Sequence, residues 1–197
     1  MVGRPREFDE DQALNAAMQA FWAKGYEATS MADLMAATGL HKGSIYQAFG
    51  DKHSLFVKAL NRYLADMRET ERAVLRNAPT PLDGLRTGAH HVLDIADCDE
   101  QIPRGCLAVN ALVELAPHDE EIRTVLGQHR QYMRETIAET IGDAQTAGQV
   151  SKTLTPEIAT SMLMTFMAGL AAMMKSGVDG QTAHQLLDEQ MNAIFSR

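Results

Sequence analysis

Residues 30–49 read SMADLMAATGLHKGSIYQAF, and their spacing predicts two short helices joined by a tight turn. Ser30 followed three positions later by Asp33 is a capping-box start, with an acid where the helix dipole favours one. Met31, Leu34 and Met35 recur at helical spacing. Gly39 supplies the positive φ that a helix C-terminus needs, and Leu40 is an apolar plug for the corner. Ile45 and Phe49 form an i, i+4 apolar pair on the second helix. With that pair facing inward, Gly43, Ser44, Tyr46 and Gln47 fall on the outer and flanking sides, and Lys42 at the rim of the first turn. No acid occurs from Ala36 to Gly50. Such a face suits a nucleic acid: Ser and Gln can meet base edges, Lys and Tyr phosphates. The pattern is that of a helix-turn-helix, whose second helix enters the major groove. The same geometry also occurs as ordinary packing in all-helical enzymes, so the flanking sequence matters.

The flanks favour the nucleic-acid reading. A helix over about 9–24 carries Leu14, Met18, Phe21 and Trp22 as its apolar stripe, with Asp9 and Gln12 as a second capping box and Phe8 as a staple. Gly25 ends it, Tyr26 follows, and this aromatic cluster should hold the two-helix reader at a fixed angle. Asp51 caps a long fourth helix whose first turn carries Lys52 and His53. A helix N-terminus with a lysine is a phosphate site, although a solvated Lys52 is the bland alternative. Arg4 and Arg6, around Pro5, form an arm of the kind that reaches phosphate or the minor groove.

Composition bounds the rest. The chain has 197 residues, 45% hydrophobic and 22% charged, with 12 Met and 6% aromatics. Helix formers dominate and long β-branched runs are absent, so the expected fold is all-α, about nine helices in all. Residues 1–63 are charge-neutral and the remainder carries the whole net charge of −8. An acidic body would repel DNA and leave the head as the acceptable contact face. The domain division is expected at 1–50, a three-helix head running on to about residue 62, and 51–197, a larger helical body. Two cysteines without metal-type spacing, and an N-terminus lacking the apolar core of a signal peptide, predict a reduced cytoplasmic protein. Residues 158–174 are uncharged but fall short of the roughly 20 residues a spanning helix needs, so no membrane association is expected.

At this point a resemblance is plain. Residues 8–62 resemble the DNA-binding domain of the TetR family of transcriptional regulators. The features that carry it lie in AFWAKGYEATSMADLMAATGLHKGSIYQAFGDKHSLFVKAL, especially Phe21, Gly25, Tyr26, Thr29, Leu34, Gly39, Ser44, Tyr46, Phe49, Lys52 and Leu55. The resemblance implies DNA contacts at Lys42, Gly43, Ser44, Tyr46 and Gln47. It implies phosphate contacts at Lys52 and at Thr29 or Ser30. The body varies widely within the family, so no effector is implied by this match.

Further helices are expected over about 82–96, 104–116, 118–147, from Pro156 after a Thr155 cap, and over 181–195. Met162, Phe166, Gly169, Leu170 and Met173 on the eighth helix, with Leu187, Met191 and Ile194 on the ninth, are more apolar than a monomer surface needs. They are the candidate homodimer interface, a four-helix junction of two helices per chain; an intramolecular core is the alternative. The resemblance implies the same dimer mode, and a two-fold protein should read a roughly palindromic operator.

In the body, Cys106 lies in Arg104-Gly105-Cys106-Leu107 at the expected start of a helix. A helix N-terminus beside a guanidinium is where thiols become reactive. The run RGCLAVN resembles a subgroup that includes N-ethylmaleimide-reductase repressors, some of which sense electrophiles or oxidants through cysteine. Asn110 is a candidate beside Cys106 for effector binding, and Cys98 a candidate resolving thiol; a small buried Cys106 is the alternative. His90, His91 and Asp94 invite a metal, but no HExxH or cysteine cluster accompanies them, and neither metal nor cofactor is expected. The sequence therefore predicts a non-enzymatic repressor, released by an unknown small molecule or by thiol modification. The rivals are an all-α enzyme using the body's pocket and an architectural DNA-binding module without an effector.

Overall fold

A computed structural model describes residues 8–97 and 104–196, and among these the chain is helical throughout, with no strand. The helices are α1 Glu10–Lys24, α2 Met31–Thr38, α3 Lys42–Phe49, α4 Lys52–Asn77, α5 Pro81–Ala96, α6 Leu107–Glu114, α7 Glu120–Thr146, α8 Pro156–Lys175 and α9 Gly180–Phe195. Backbone contacts divide the chain after Leu64, inside α4. The first unit holds α1–α3 with the start of α4; the second holds the rest of α4 with α5–α9.

In the head, the caps do what the residues dictate. The Ser30 hydroxyl accepts the Asp33 amide at 3.1 Å and the Asp33 carboxylate accepts the Ser30 amide at 2.8 Å, so two amides that lack helical partners are satisfied reciprocally. Lys24 pairs with the same carboxylate. That hydrogen bond, ahead of those from Ser30, holds Asp33 well below the usual carboxylate range. Gly39 takes a left-handed φ of 69° and donates to the Met35 carbonyl at 3.0 Å, which ends α2 and makes the tight turn. The head's core is aromatic. Phe21, fully buried, meets Phe56 edge-on at 5.0 Å between ring centroids, and Trp22 meets Tyr63 likewise at 5.0 Å. Leu34, Ile45 and Phe49 are buried as well, with α2 packed on α1 and Lys58 of α4 bonded to the end of α3.

In the body, α5, α7, α8 and α9 share one core, in which Leu93, Ile141, Leu163, Leu170, Leu187 and Met191 are buried together. Thr155 caps α8 and Pro156 occupies its first turn. At 20 residues α8 is longer than its uncharged stretch suggests. It meets the length and hydropathy needed to cross a membrane, yet Ala159, Leu163, Leu170 and Met174 lie in the body's own core.

The sixth helix is shorter than expected, because Gly105 holds φ at +59° and helix begins only after Cys106. A Cβ on Gly105 would stand 2.6 Å from the Ala171 carbonyl. Glycine is thus what lets this segment lie against α8.

Candidate functional site

Two candidate contact sites stand out among the described residues: the outer side of α3 and a cavity within the body. On α3, Ile45 and Phe49 are buried, which fixes the helix's rotation. Lys42, Gly43, Tyr46 and Gln47 are consequently exposed and Ser44 is half-buried. Tyr46, 43% exposed, is a large apolar ring left facing solvent, with Lys42 Nζ 5.6 Å from its centroid. His41 occupies the N-cap without a side-chain bond, so this helix end keeps donors for an anion. At the other end Lys58 donates to the Phe49 carbonyl at 3.2 Å and offsets the negative pole of α3. Sequence reading did not single out Lys58.

Lys52 stands at the start of α4, which Asp51 caps by accepting the Ser54 amide at 2.7 Å. Its ammonium lies 4.4 Å from the Tyr26 ring centroid and donates to the Glu27 carbonyl at 3.4 Å. The charge is thereby held near the first turn of α4. Ser30, exposed at the start of α2, keeps a hydroxyl at the same kind of position. Thr29 corrects the expectation of a phosphate contact there. It is fully buried and its hydroxyl donates to the Gly25 carbonyl at 2.6 Å, so it ties α1 to α2 and presents nothing outward. Arg4 and Arg6 lie outside the described residues.

The body encloses a cavity of about 520 Å³, bounded by α4–α8, within the range that small-molecule sites occupy. Its wall is largely apolar, with a few polar side chains. Cys106 is buried at the N-cap of α6 and lines it. Asn110 corrects the expectation of a ligand contact. It does not line the cavity, and its amide donates to the Arg104 carbonyl at 2.9 Å, bracing the segment that carries Cys106. Cys98 lies outside the described residues.

Sequence reading missed two polar groups in this wall. Glu71 Oε2 and His129 Nδ1 are both buried without a hydrogen-bond partner. Burial pushes the Glu71 carboxyl up to about 7, against the pull of Arg72. Burial, with Arg68 adding in the same direction, pushes His129 down to about 4. His129 is therefore neutral around pH 7, whereas Glu71 is there close to the midpoint of its titration.

The stability consequences have opposite signs. Folded Glu71 holds its proton to higher pH than the unfolded chain does, so its contribution is full below pH 4.5 and is lost as pH rises through about 7. His129 binds its proton less readily when folded, so its contribution is full above pH 6.5 and is lost as pH falls through about 4. Glu71→Gln should accordingly raise the melting temperature relative to the parent at pH 8 and change it little near pH 4.5, measured by thermal melts across that range. An unchanged difference at both pH values would contradict the burial of an uncompensated carboxyl.

His90, His91 and Asp94 are not brought together: His90 and Asp94 meet α9, while His91 lines the cavity. His90 Nδ1 meets His184 Nδ1 at 2.6 Å, His90 Nε2 meets Asp188 at 3.0 Å, and Asp94 pairs with His184 at 3.1 Å. These residues join α5 to α9, His91 faces the cavity, and no group among the described residues is arranged to hold a metal ion.

The candidate interface residues separate into two sets. Leu170, Leu187, Met191 and Ile194 are buried in the chain's own core, which corrects their assignment to a dimer surface. Phe166 is half-buried and packs against that core. Met162 and Met173 are exposed, as are Ile158 and, on α9, Leu186. With Gly169 they leave an apolar stripe along the outer side of α8.

Residues 81–188 match the family model described as the tetracyclin repressor-like C-terminal domain, and residues 13–59 that of bacterial regulatory proteins of the tetR family. The chain belongs to the TetR family. Among its relatives, the transcriptional repressor ComR of Escherichia coli K12 is 33% identical over 150 residues, covering 75% of this chain and 70% of ComR. Among solved structures, a cysteine-substituted variant of the TetR-family regulator CifR, complexed with 26-bp double-strand operator DNA, superposes with a TM-score of 0.84. It is 30% identical and covers 97% of this chain and 99% of that one. Reduced NemR of E. coli shares the fold, with a TM-score of 0.78 at 16% identity over 93% of each chain. This TetR-family chain is thus a transcriptional regulator. The rival reading as an all-α enzyme gains nothing from these relatives, which are regulators.

Proposed function

We propose that this TetR-family regulator is a cytoplasmic, non-enzymatic repressor that binds a two-fold-related operator as a homodimer. In this reading Lys42, Gly43, Ser44, Tyr46 and Gln47 on α3 meet the major groove, and Ser30 and Lys52 meet flanking phosphates. The observation that carries it is the exposed Tyr46 and Gln47 on a helix whose opposite side is locked into an aromatic core. ComR is itself a repressor, and CifR was captured on operator DNA. The apolar stripe of Ile158, Met162 and Met173 would pair with its two-fold mate.

A small molecule in the body cavity, or modification of Cys106, would release the operator by favouring the state that binds DNA less well. α4 carries both Lys52 and the cavity residue Glu71, so a shift of its cavity-lining segment would move the phosphate contact. The deciding experiment is affinity for duplex DNA upstream of the protein's own gene, measured against salt. The expected result is specific binding whose logarithm falls linearly with that of salt concentration, roughly 0.9 for each phosphate neutralised. Binding equal to that of scrambled duplex at every salt concentration would contradict the reading. Cys106→Ser should abolish release by N-ethylmaleimide if the thiol is the trigger; unchanged release would remove it from the mechanism.

A further inference from the structure

The cavity's chemistry is uneven, and the unevenness falls along α7. Residues 123, 127, 130 and 134 recur at i, i+4, i+7 and i+11 and so share one face of that helix. All four line the cavity, and they are Arg, Gly, Arg and Arg. The three arginines are exposed, which places them at the cavity's open rim. Arg123 is tethered to the carbonyls of Ala116 at 3.0 Å and Pro117 at 3.3 Å. Arg134 reaches the Ser161 hydroxyl at 3.4 Å, with the carboxylate of Glu157 in its field. Arg130 makes no hydrogen bond or ion pair among the described residues.

Gly127 sits between them in the middle of a 27-residue helix, where glycine is unfavourable. A Cβ there would meet nothing within 4 Å, so no protein contact demands its smallness. What the glycine leaves open is a path for a chain to lie against the helix backbone between two guanidiniums. The inner wall differs. Apart from Glu71, His129, His91, Thr70 and Thr165 it is lined chiefly by apolar groups such as Leu85, Val92, Leu126 and Met133. His129, 8% exposed, also lines this space, and its Nδ1 is buried without a partner. A bound anion beside Glu71 would be repelled whenever that carboxyl ionises, so a negative head group is directed to the rim.

We propose that the cavity takes a medium-chain amphiphile, its hydrocarbon chain inside and a single anionic head, carboxylate or phosphate ester, at the arginine stripe of α7. This rests on the reading of the cavity as the effector site. Guanidinium forks match both head groups bidentately, and the hydrocarbon supplies apolar burial that the wall can accept.

The test is isothermal titration of the full-length protein with decanoate, decyl phosphate, 1-decanol and decyltrimethylammonium. The expected result is that at least one of the two anions binds about 10-fold or more tightly than the alcohol, and the cation most weakly. Arg130→Gln combined with Arg134→Gln should erase that preference while leaving 1-decanol within about twofold; both positions are exposed, so the fold is kept. Gly127→Leu should weaken all chains by obstructing the path. The four probes separate the sources: decanoate alone indicates a free acid, decyl phosphate alone a phosphate ester. Equal or tighter binding of the alcohol, an anion preference that survives the double substitution, or no binding of either anion at 1 mM would each overturn the proposal. Operator release is measured separately. An anion that binds at the stripe yet leaves operator affinity unchanged refutes the effector reading and not the ligand class.

Discussion

Tyr46→Ala combined with Gln47→Ala is expected to weaken operator binding by about 2–6 kcal/mol, roughly 30-fold or more, without unfolding the protein. The magnitude follows from geometry and symmetry. A good side-chain contact with a base edge discriminates by about 1–3 kcal/mol, and a homodimer makes each contact at two half-sites. Both side chains are exposed, and Ile45 and Phe49, which anchor the helix, are untouched. Stability should therefore change by no more than about 0.5 kcal/mol. Lys42→Ala behaves differently. A phosphate contact contributes to every sequence alike, so its loss should lower specific and non-specific affinity together and reduce the salt slope by about 1 per half-site. Fluorescence anisotropy with operator and scrambled duplex at several salt concentrations separates the two cases. A double alanine variant within threefold of the parent would mean that α3 does not read bases.

Phe21→Ala should cost the head about 3–5 kcal/mol, the usual penalty for emptying a buried aromatic site. Phe21 is fully buried, stands edge-on to Phe56 at 5.0 Å and stacks on Tyr26 at 6.0 Å. No other residue of α1 could refill that volume, and a unit of this size has little stability to spare. The chain's single tryptophan, Trp22, is the neighbouring residue. It is 4% exposed and packed on Tyr63, so its fluorescence reports the head alone. In urea the tryptophan signal of the variant should unfold at much lower concentration, while most of the helical signal follows the parent's body transition. Coincident shifts of both signals would show that head and body unfold as one unit. Operator binding should fall with the head, because α3 keeps its orientation only while the aromatic core is formed.

The head was readable because its information is local. Ser30 with Asp33, Gly39 and the pair Ile45 and Phe49 each dictate a short-range geometry, and the structure realises each. Thr29 was misjudged for a related reason. Sequence shows a hydroxyl next to a cap, but not that the backbone of α1 passes close enough to take it. In the body, periodicity identified the apolar sides of α8 and α9 but not what they face. Leu187 and Met191 close the chain's own core, whereas Met162 and Met173 point outward. The distinction depends on where α5 and α7 lie, which no spacing rule contains. Glu71 and His129 escaped notice because a lone acid or histidine on a polar helix reads as solvated; only the packed helices make them buried and unpartnered. The stripe of Arg123, Gly127, Arg130 and Arg134 was visible as a spacing. What gave it meaning was the cavity beside it.

The central claim is that the exposed side of α3 lies on the duplex while the acidic body does not. The most direct measurement is site-specific photocrosslinking of the full-length protein to operator DNA, with benzoylphenylalanine placed at Tyr46 in one variant and at Val113, which is 71% exposed in the body, in another. The account predicts an adduct from position 46 that excess unlabelled operator suppresses, and none from position 113. Adducts from 113 alone, or equal yields from both, would contradict it.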